Sequence, residues 1–221
     1  MNKRSVIISG GAIDDAFALR QLNEIQPEVI VGVDRGLQFL YRNEITPTHI
    51  VGDFDSVSPE VIAYYKTETQ VPIREFNPVK DASDTEIALK LAIELGVKQV
   101  WILGGTGTRL DHVLANIQML KIALDASVQA YILDKYNRIS LVEKEIVLEK
   151  DNAYGSYFSV FPLGGTIENF NIEGAKYPLQ NHTLRPYDSL CVSNQYAEEV
   201  VNIRFPEGII ILTETRDDES I

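Results

Sequence analysis

Six short β-branched runs, separated by segments of helical length, dictate most of what the first two thirds of this chain can become. The runs are Ser5 to Ser9, Val29 to Val33, His49 to Val51, Val71 to Glu75, Gln99 to Leu103 and Val128 to Leu133. Helical apolar spacing fills gaps between them. Ile13, Phe17 and Leu19 open one stripe, Ile87, Leu91 and Leu95 mark a second, and Leu110, Leu114 and Ile117 a third. Strands alternating with helices predict an α/β domain whose mostly parallel sheet is covered on both faces, a three-layer arrangement. Such sheets bind ligands outside the carboxyl ends of their strands, so the residues just after each run carry the functional weight.

The rhythm changes after about Asp134. Ile139 to Val142, Glu145 to Leu148, Ser156 to Phe161, Thr166 to Phe170, Ser189 to Val192, Val200 to Phe205 and Gly208 to Thr213 succeed one another without helical spacing. Turn residues such as Lys150-Asp151-Asn152 and Pro162-Leu163-Gly164-Gly165 separate them. This pattern predicts an antiparallel β-sandwich or barrel, with a domain boundary between Asp134 and Arg138. A chain of 221 residues accommodates two small domains of this kind.

Several function classes are disfavoured at once. The formal net charge of −12 repels a phosphate backbone, and no concentrated basic patch offsets it, so nucleic acid is not an expected partner. No stretch approaches the run of about 18 apolar residues that a membrane helix requires. The apolar run Val6-Ile7-Ile8 is too short for a signal segment, which leads to the expectation of a cytoplasmic protein. The single cysteine, Cys191, lies in an apolar run and reads as a buried small hydrophobe; alone it builds neither a disulfide nor a Cys-rich zinc site. His49, His112 and His182 have no zinc spacing and are expected to be structural or exposed.

Three acid-bearing segments stand out, two of them with glycine at a strand end. In Gly52-Asp53-Phe54-Asp55-Ser56, two carboxylates flank a phenylalanine anchored in the core. An extended backbone there sends both acids into the crevice, where a hard cation such as magnesium offsets their repulsion. A plain Asx turn ending at Ser58-Pro59 explains the same residues equally well. In Lys80-Asp81-Ala82-Ser83-Asp84-Thr85-Glu86, Ser83 and Glu86 have capping-box spacing. That places Asp84 at the first helical position, as a helix-start acid or a third metal ligand. Gly104-Gly105-Thr106-Gly107-Thr108-Arg109-Leu110-Asp111-His112 is a glycine turn between strand and helix. Its amides suit an anion and Arg109 suits phosphate oxygens, although neither a Walker A nor a dinucleotide signature is complete. Asp111 either orients Arg109 or a ribose hydroxyl, or is a solvated first-turn acid.

These segments, together with Val33-Asp34-Arg35-Gly36, occur in the order found in the thiamine pyrophosphokinase family, which the chain resembles from about Val6 to Thr213. Glu173 to Leu179 and Cys191-Val192-Ser193-Asn194 extend the resemblance into the second domain. The resemblance implies an α/β nucleotide-binding catalytic domain over 1–135 and a β-sandwich for thiamine binding and dimerisation over 136–221. It implies transfer of the diphosphate of ATP to the hydroxyl of thiamine, magnesium dependence, and a homodimer with thiamine at its interface. By position, Asp53, Asp55 and Asp84 match the metal and diphosphate region, and Lys80 and Arg109 the phosphate contacts. Asp34, Arg35, Gly104, Gly105, Thr106, Gly107, Thr108, Asp111 and Asn116 match the nucleotide side. Ser193, Asn194 and Tyr196 match the thiamine side. Arg35 departs from the glycine that many relatives carry there. Two other functions fit parts of the pattern: a pyrophosphokinase acting on a pterin-like alcohol, and a non-catalytic nucleotide-binding module, which leaves the aspartate grouping without a purpose.

Overall fold

The computed structural model describes residues 3–75 and 82–218, and the chain divides into two compact units, Met1–Lys135 and Tyr136–Ile221. In the first unit six strands pair in parallel in the order β6-β5-β1-β2-β3-β4. They are β1 (Arg4–Ile8), β2 (Val29–Val33), β3 (His49–Gly52), β4 (Ile73–Glu75), β5 (Gln99–Leu103) and β6 (Gln129–Leu133). Successive residues of β1 and β2 are buried, without an inside-outside alternation, which requires cover on both faces of the sheet. The chain runs from β1 outward to β4 and then returns to lay β5 on the other side of β1. The order therefore reverses between β1 and β5, and in such a sheet ligands bind outside the carboxyl ends of the strands at that point.

Among the described residues five helices connect the strands: α1 (Asp15–Ile25), α2 (Gly36–Arg42), α3 (Pro59–Glu68), α4 (Asp84–Glu94) and α5 (Leu110–Asp125). α4 packs across β1, β2 and β3 through Ala88, Leu89, Leu91 and Ala92. Its N-cap is Ser83, whose Oγ accepts from the Glu86 N–H at 3.2 Å. The Glu86 carboxylate takes Lys90 one turn onward, so the Ser83 half of the anticipated capping box is the half that forms. The α5 stripe needs correction. Leu110 and Leu114 are 72 % and 61 % exposed, while Asn116, Met119, Leu120 and Ala123 face the core. Leucines at i and i+4 define a face without fixing what covers it.

In the second unit, β7 (Asn137–Glu149) and β12 (Val200–Thr215) are long strands, where the sequence suggested a pair of short runs in each place. They pair antiparallel, with a register shift between Arg204 and Ile209 at Phe205-Pro206-Glu207-Gly208. On one side of that bulge β12 pairs with β9 (Ile167–Glu173), and on the other with β8 (Tyr157–Pro162). β12 thereby changes partner along its length, with β10 (Leu179–Leu184) paired on β9 and β11 (Asn194–Gln195) on β8. Phe158, Phe170, Ile172, Leu184, Val201, Ile203 and Leu212 fill the core. Ser189 to Val192 is a turn, not a strand: Cys191 is buried between the exposed Leu190 and Val192. β10, which like the short β11 the sequence did not reveal, reads Leu-Gln-Asn-His-Thr-Leu.

Candidate active site

The crevice at the strand ends is built first from backbone. Ser9 N–H donates to the Leu103 carbonyl at 2.8 Å, Gly11 N–H to Gly104 at 2.9 Å, and Ala12 N–H to Thr106 at 2.8 Å. The loops after β1 and β5 are thus zipped together. A Cβ on Gly11 would lie 2.1 Å from the Thr106 carbonyl oxygen, so glycine is what lets the two loops meet. This reassigns part of the glycine signal, because here it serves contact between loops.

Acids then converge from three elements. Asp34 directly follows β2 with a left-handed φ of 42°, and its Oδ1 accepts from the Phe54 N–H at 3.4 Å. A Cβ at position 52 would stand 2.0 Å from that same oxygen, so Gly52 makes the room Asp34 occupies. Phe54 is itself left-handed, φ 61°, with its ring buried, so the segment is not the extended chain the sequence suggested. Asp55 N–H donates to Asp53 Oδ1 at 3.2 Å: the Asx turn forms, and both acids nevertheless line the cleft. Non-glycine residues held in the left-handed region carry strain that the surrounding packing must offset. Asp84, at the start of α4, completes the group with a side-chain hydrogen bond to Asp34.

The resulting cleft has a volume of about 650 Å³. Asp34, Arg35, Asp53, Asp55, Asp84 and the run from Gly104 to Arg109 all line it, as do Ser9, Ser56, Thr85 and His112. Burial, followed by the negative charge of Asp84, pushes the Asp34 carboxyl up to about 7. The Phe54 N–H pulls it the other way and Asp53 adds further repulsion. Arg109 is paired with Asp111, at 2.5 Å between Nη2 and Oδ2, and that pairing holds the Asp111 carboxyl down at about 2. Asp111 and Asn116 are not among the residues lining the cleft. Asn116 is buried and donates to the Gly105 carbonyl at 2.8 Å, fixing the glycine turn from behind. Lys80 and Asp81 lie outside the described residues.

Among the described residues no three His, Cys, Asp or Glu side chains are grouped as a ready-made ion cage. The donor chemistry still fits magnesium, which keeps several waters and takes one or two carboxylates together with substrate phosphates. Four aspartates around the cleft, one of them with its charge disfavoured first by burial and then by its neighbours, offer that kind of ligand.

The second unit places the remaining candidates. Ser193 is exposed, with φ 55°, and its N–H donates to Ser159 Oγ at 2.9 Å. Asn194 is buried and spends its amide on structure: Oδ1 accepts from Tyr177 N–H at 3.1 Å, and Nδ2 donates to the Tyr177 carbonyl at 2.9 Å. Tyr196 sets its ring edge on Phe158 at 5.5 Å and packs against the core. The sequence reading singled out neither Thr85 nor Ser56, and it expected nothing of His112 at the site. A hydroxyl or imidazole next to a glycine or acidic strand end was the available signal.

Residues 20–132 match the family described as Thiamin pyrophosphokinase, catalytic domain, and residues 143–210 match Thiamin pyrophosphokinase, vitamin B1 binding domain. A thiamine pyrophosphokinase of Bacillus subtilis is 32 % identical over 189 residues, covering 85 % of this chain and 87 % of the relative. The crystal structure of the thiamine pyrophosphokinase from Bacillus subtilis superposes with a TM-score of 0.87 at 30 % identity, covering 98 % of this chain and 100 % of that one. A thiamin pyrophosphokinase structure from Geobacillus thermodenitrificans gives 0.83 at 28 % identity, covering 99 % and 100 %.

Proposed function

This chain belongs to the thiamin pyrophosphokinase family, and we propose that it transfers the diphosphate of ATP to the hydroxyl of thiamine, releasing AMP. The hydroxyl oxygen forms a bond to the β-phosphorus while the bond from that phosphorus to the bridging oxygen of the α-phosphate breaks. The electron pair leaves with AMP, and the acceptor loses its proton. Little covalent work falls to the protein in such a transfer; positioning and charge stabilisation dominate.

The observation that carries this reading is the convergence of Asp34, Asp53, Asp55 and Asp84 in one cleft beside the Gly10-Gly11 and Gly104 to Thr108 turns. Backbone N–H groups of the Gly104 to Thr108 turn, and the N-termini of α4 and α5, suit the phosphates. Arg35 and Arg109 supply guanidinium charge from the same walls, and Lys80 is assigned to the phosphates on the strength of the family pattern. Asp53, Asp55 and Asp84 are the residues to hold magnesium, which when bound supplies charge neutralisation and polarises phosphate oxygens. An acidic cleft also favours approach of a cationic acceptor such as thiamine. Ser193, Asn194 and Tyr196 of the β unit are assigned to thiamine. A homodimer belongs to the same proposal, and light scattering checks it against twice the chain mass of 24.8 kDa.

The test is a product assay. Purified protein incubated with ATP, magnesium and thiamine should yield AMP and thiamine diphosphate in equal amounts. Formation of ADP would mean single phosphoryl transfer and would overturn the assignment. AMP formed only with a different alcohol would move the acceptor away from thiamine.

A further inference from the structure

The cleft contains a buried hydroxyl pair to which nothing above gives a role. Ser9 Oγ and Thr85 Oγ1 are 2.7 Å apart, and both residues are less than a tenth exposed. Ser9 is fixed from the other side, since its N–H donates to the Leu103 carbonyl. Thr85 is the second residue of α4, directly after Asp84. The hydrogen bond therefore joins the sheet at its switch point to the first turn of α4.

That turn carries Asp84, which lines the cleft with Asp53 and Asp55 and makes a side-chain hydrogen bond to Asp34. The apolar contacts of α4 come mainly from Ala88, Leu89, Leu91 and Ala92, further along the helix, and the Ser83 cap acts only inside the helix. The hydroxyl pair ties the acid-bearing turn itself to the sheet.

We propose that Ser9 and Thr85 are positioning residues whose shared hydrogen bond sets the Asp84 carboxylate where the magnesium–nucleotide complex needs it. This rests on the function proposed above. Small displacements of a reacting group have large kinetic effects, so the bond should appear in kcat, whereas an ordinary buried polar contact would appear in stability alone.

Thr85→Val keeps the shape and removes the hydroxyl; Ser9→Ala breaks the bond from the other partner; Thr85→Ser restores it. Each single loss should lower kcat about 10- to 100-fold with the KM for thiamine unchanged. The double variant should be no worse than either single one, because both remove the same bond. Thr85→Ser should return kcat close to that of the unaltered protein. A second readout is calorimetric titration of Mg²⁺ in the presence of α,β-methylene ATP, where Thr85→Val should weaken Mg²⁺ binding. Unchanged kcat in Thr85→Val and Ser9→Ala, a loss confined to the KM for ATP, or failure of Thr85→Ser to rescue would each overturn the proposal. If the unaltered protein forms no AMP at all, the activity assignment fails by itself. The Mg²⁺ titration then still decides this point: weakened binding supports it and unchanged binding overturns it.

Discussion

Asp34 in the α/β unit and Glu214 in the β unit are both acids largely removed from water, but their surroundings are opposite. The Glu214 side chain is 4 % exposed and receives a two-pronged contact from Arg138, whose Nε and Nη2 each lie 2.6 Å from a carboxylate oxygen. Asp34 meets Asp84 and Asp53, and its carboxyl is pushed up to about 7. A buried charge that serves folding comes with its counter-charge. A group of acids held together in a cleft is a cost to folding, and its explanation lies in what the cleft binds. The two backbones differ in the same sense: Asp34 and Phe54 sit in the left-handed region, whereas Arg138 and Glu214 face each other across a regular strand pair.

That contrast breaks most readily at Asp84. Asp84→Ala should lower AMP formation by at least about 100-fold, as removal of a group that organises transition-state charge does, while circular dichroism shows an intact fold. Retained turnover would remove Asp84 from the site. The next effect belongs to the other unit. Arg138→Met leaves Glu214 buried without its guanidinium and should destabilise the β unit by about 3 kcal/mol in denaturant melts. Adding Glu214→Gln should recover part of that loss. Asp34→Asn sharpens the comparison with the smallest change. The neutral amide keeps an oxygen for the Phe54 N–H and removes the cost of burying a charge there, together with the repulsion from Asp84. In EDTA it should therefore raise stability by about 1 kcal/mol, a figure discounted for partial exposure, while activity falls. A destabilised Asp34→Asn protein would mean that the acid cluster contributes to folding after all.

What the sequence disclosed follows burial. Strands β1, β2, β3 and β5 are legible to within a residue because they are short, β-branched and covered on both faces. β10 escaped notice because Gln180, Asn181 and His182 give it a polar surface. The apolar stretch through Cys191 imitated a strand while burying one side chain of its three apolar residues. The long β7 and β12 looked like four short strands because the bulge at Phe205 to Gly208 interrupts their pattern. At the site, Asp53, Asp55 and Asp84 could be singled out by their place beside glycine and a helix cap. The centrality of Asp34 could not, since it depends on the space left by Gly52 and on the return of α4 beneath β2 and β3. Ser9 and Thr85, 76 positions apart, become partners only through the reversal in strand order.

These aspartates are proposed to share one substrate-bound cation at the carboxyl ends of β2 and β3 and the start of α4. A crystal structure with Mg²⁺ and α,β-methylene ATP, which cannot be cleaved at the bond in question, tests it directly. Phosphates should lie against the loops after β1 and β5, with Mg²⁺ joining them to Asp84 and to Asp53 or Asp55. Phosphates seated away from those loops, or an ion that none of these carboxylates reaches, would contradict it.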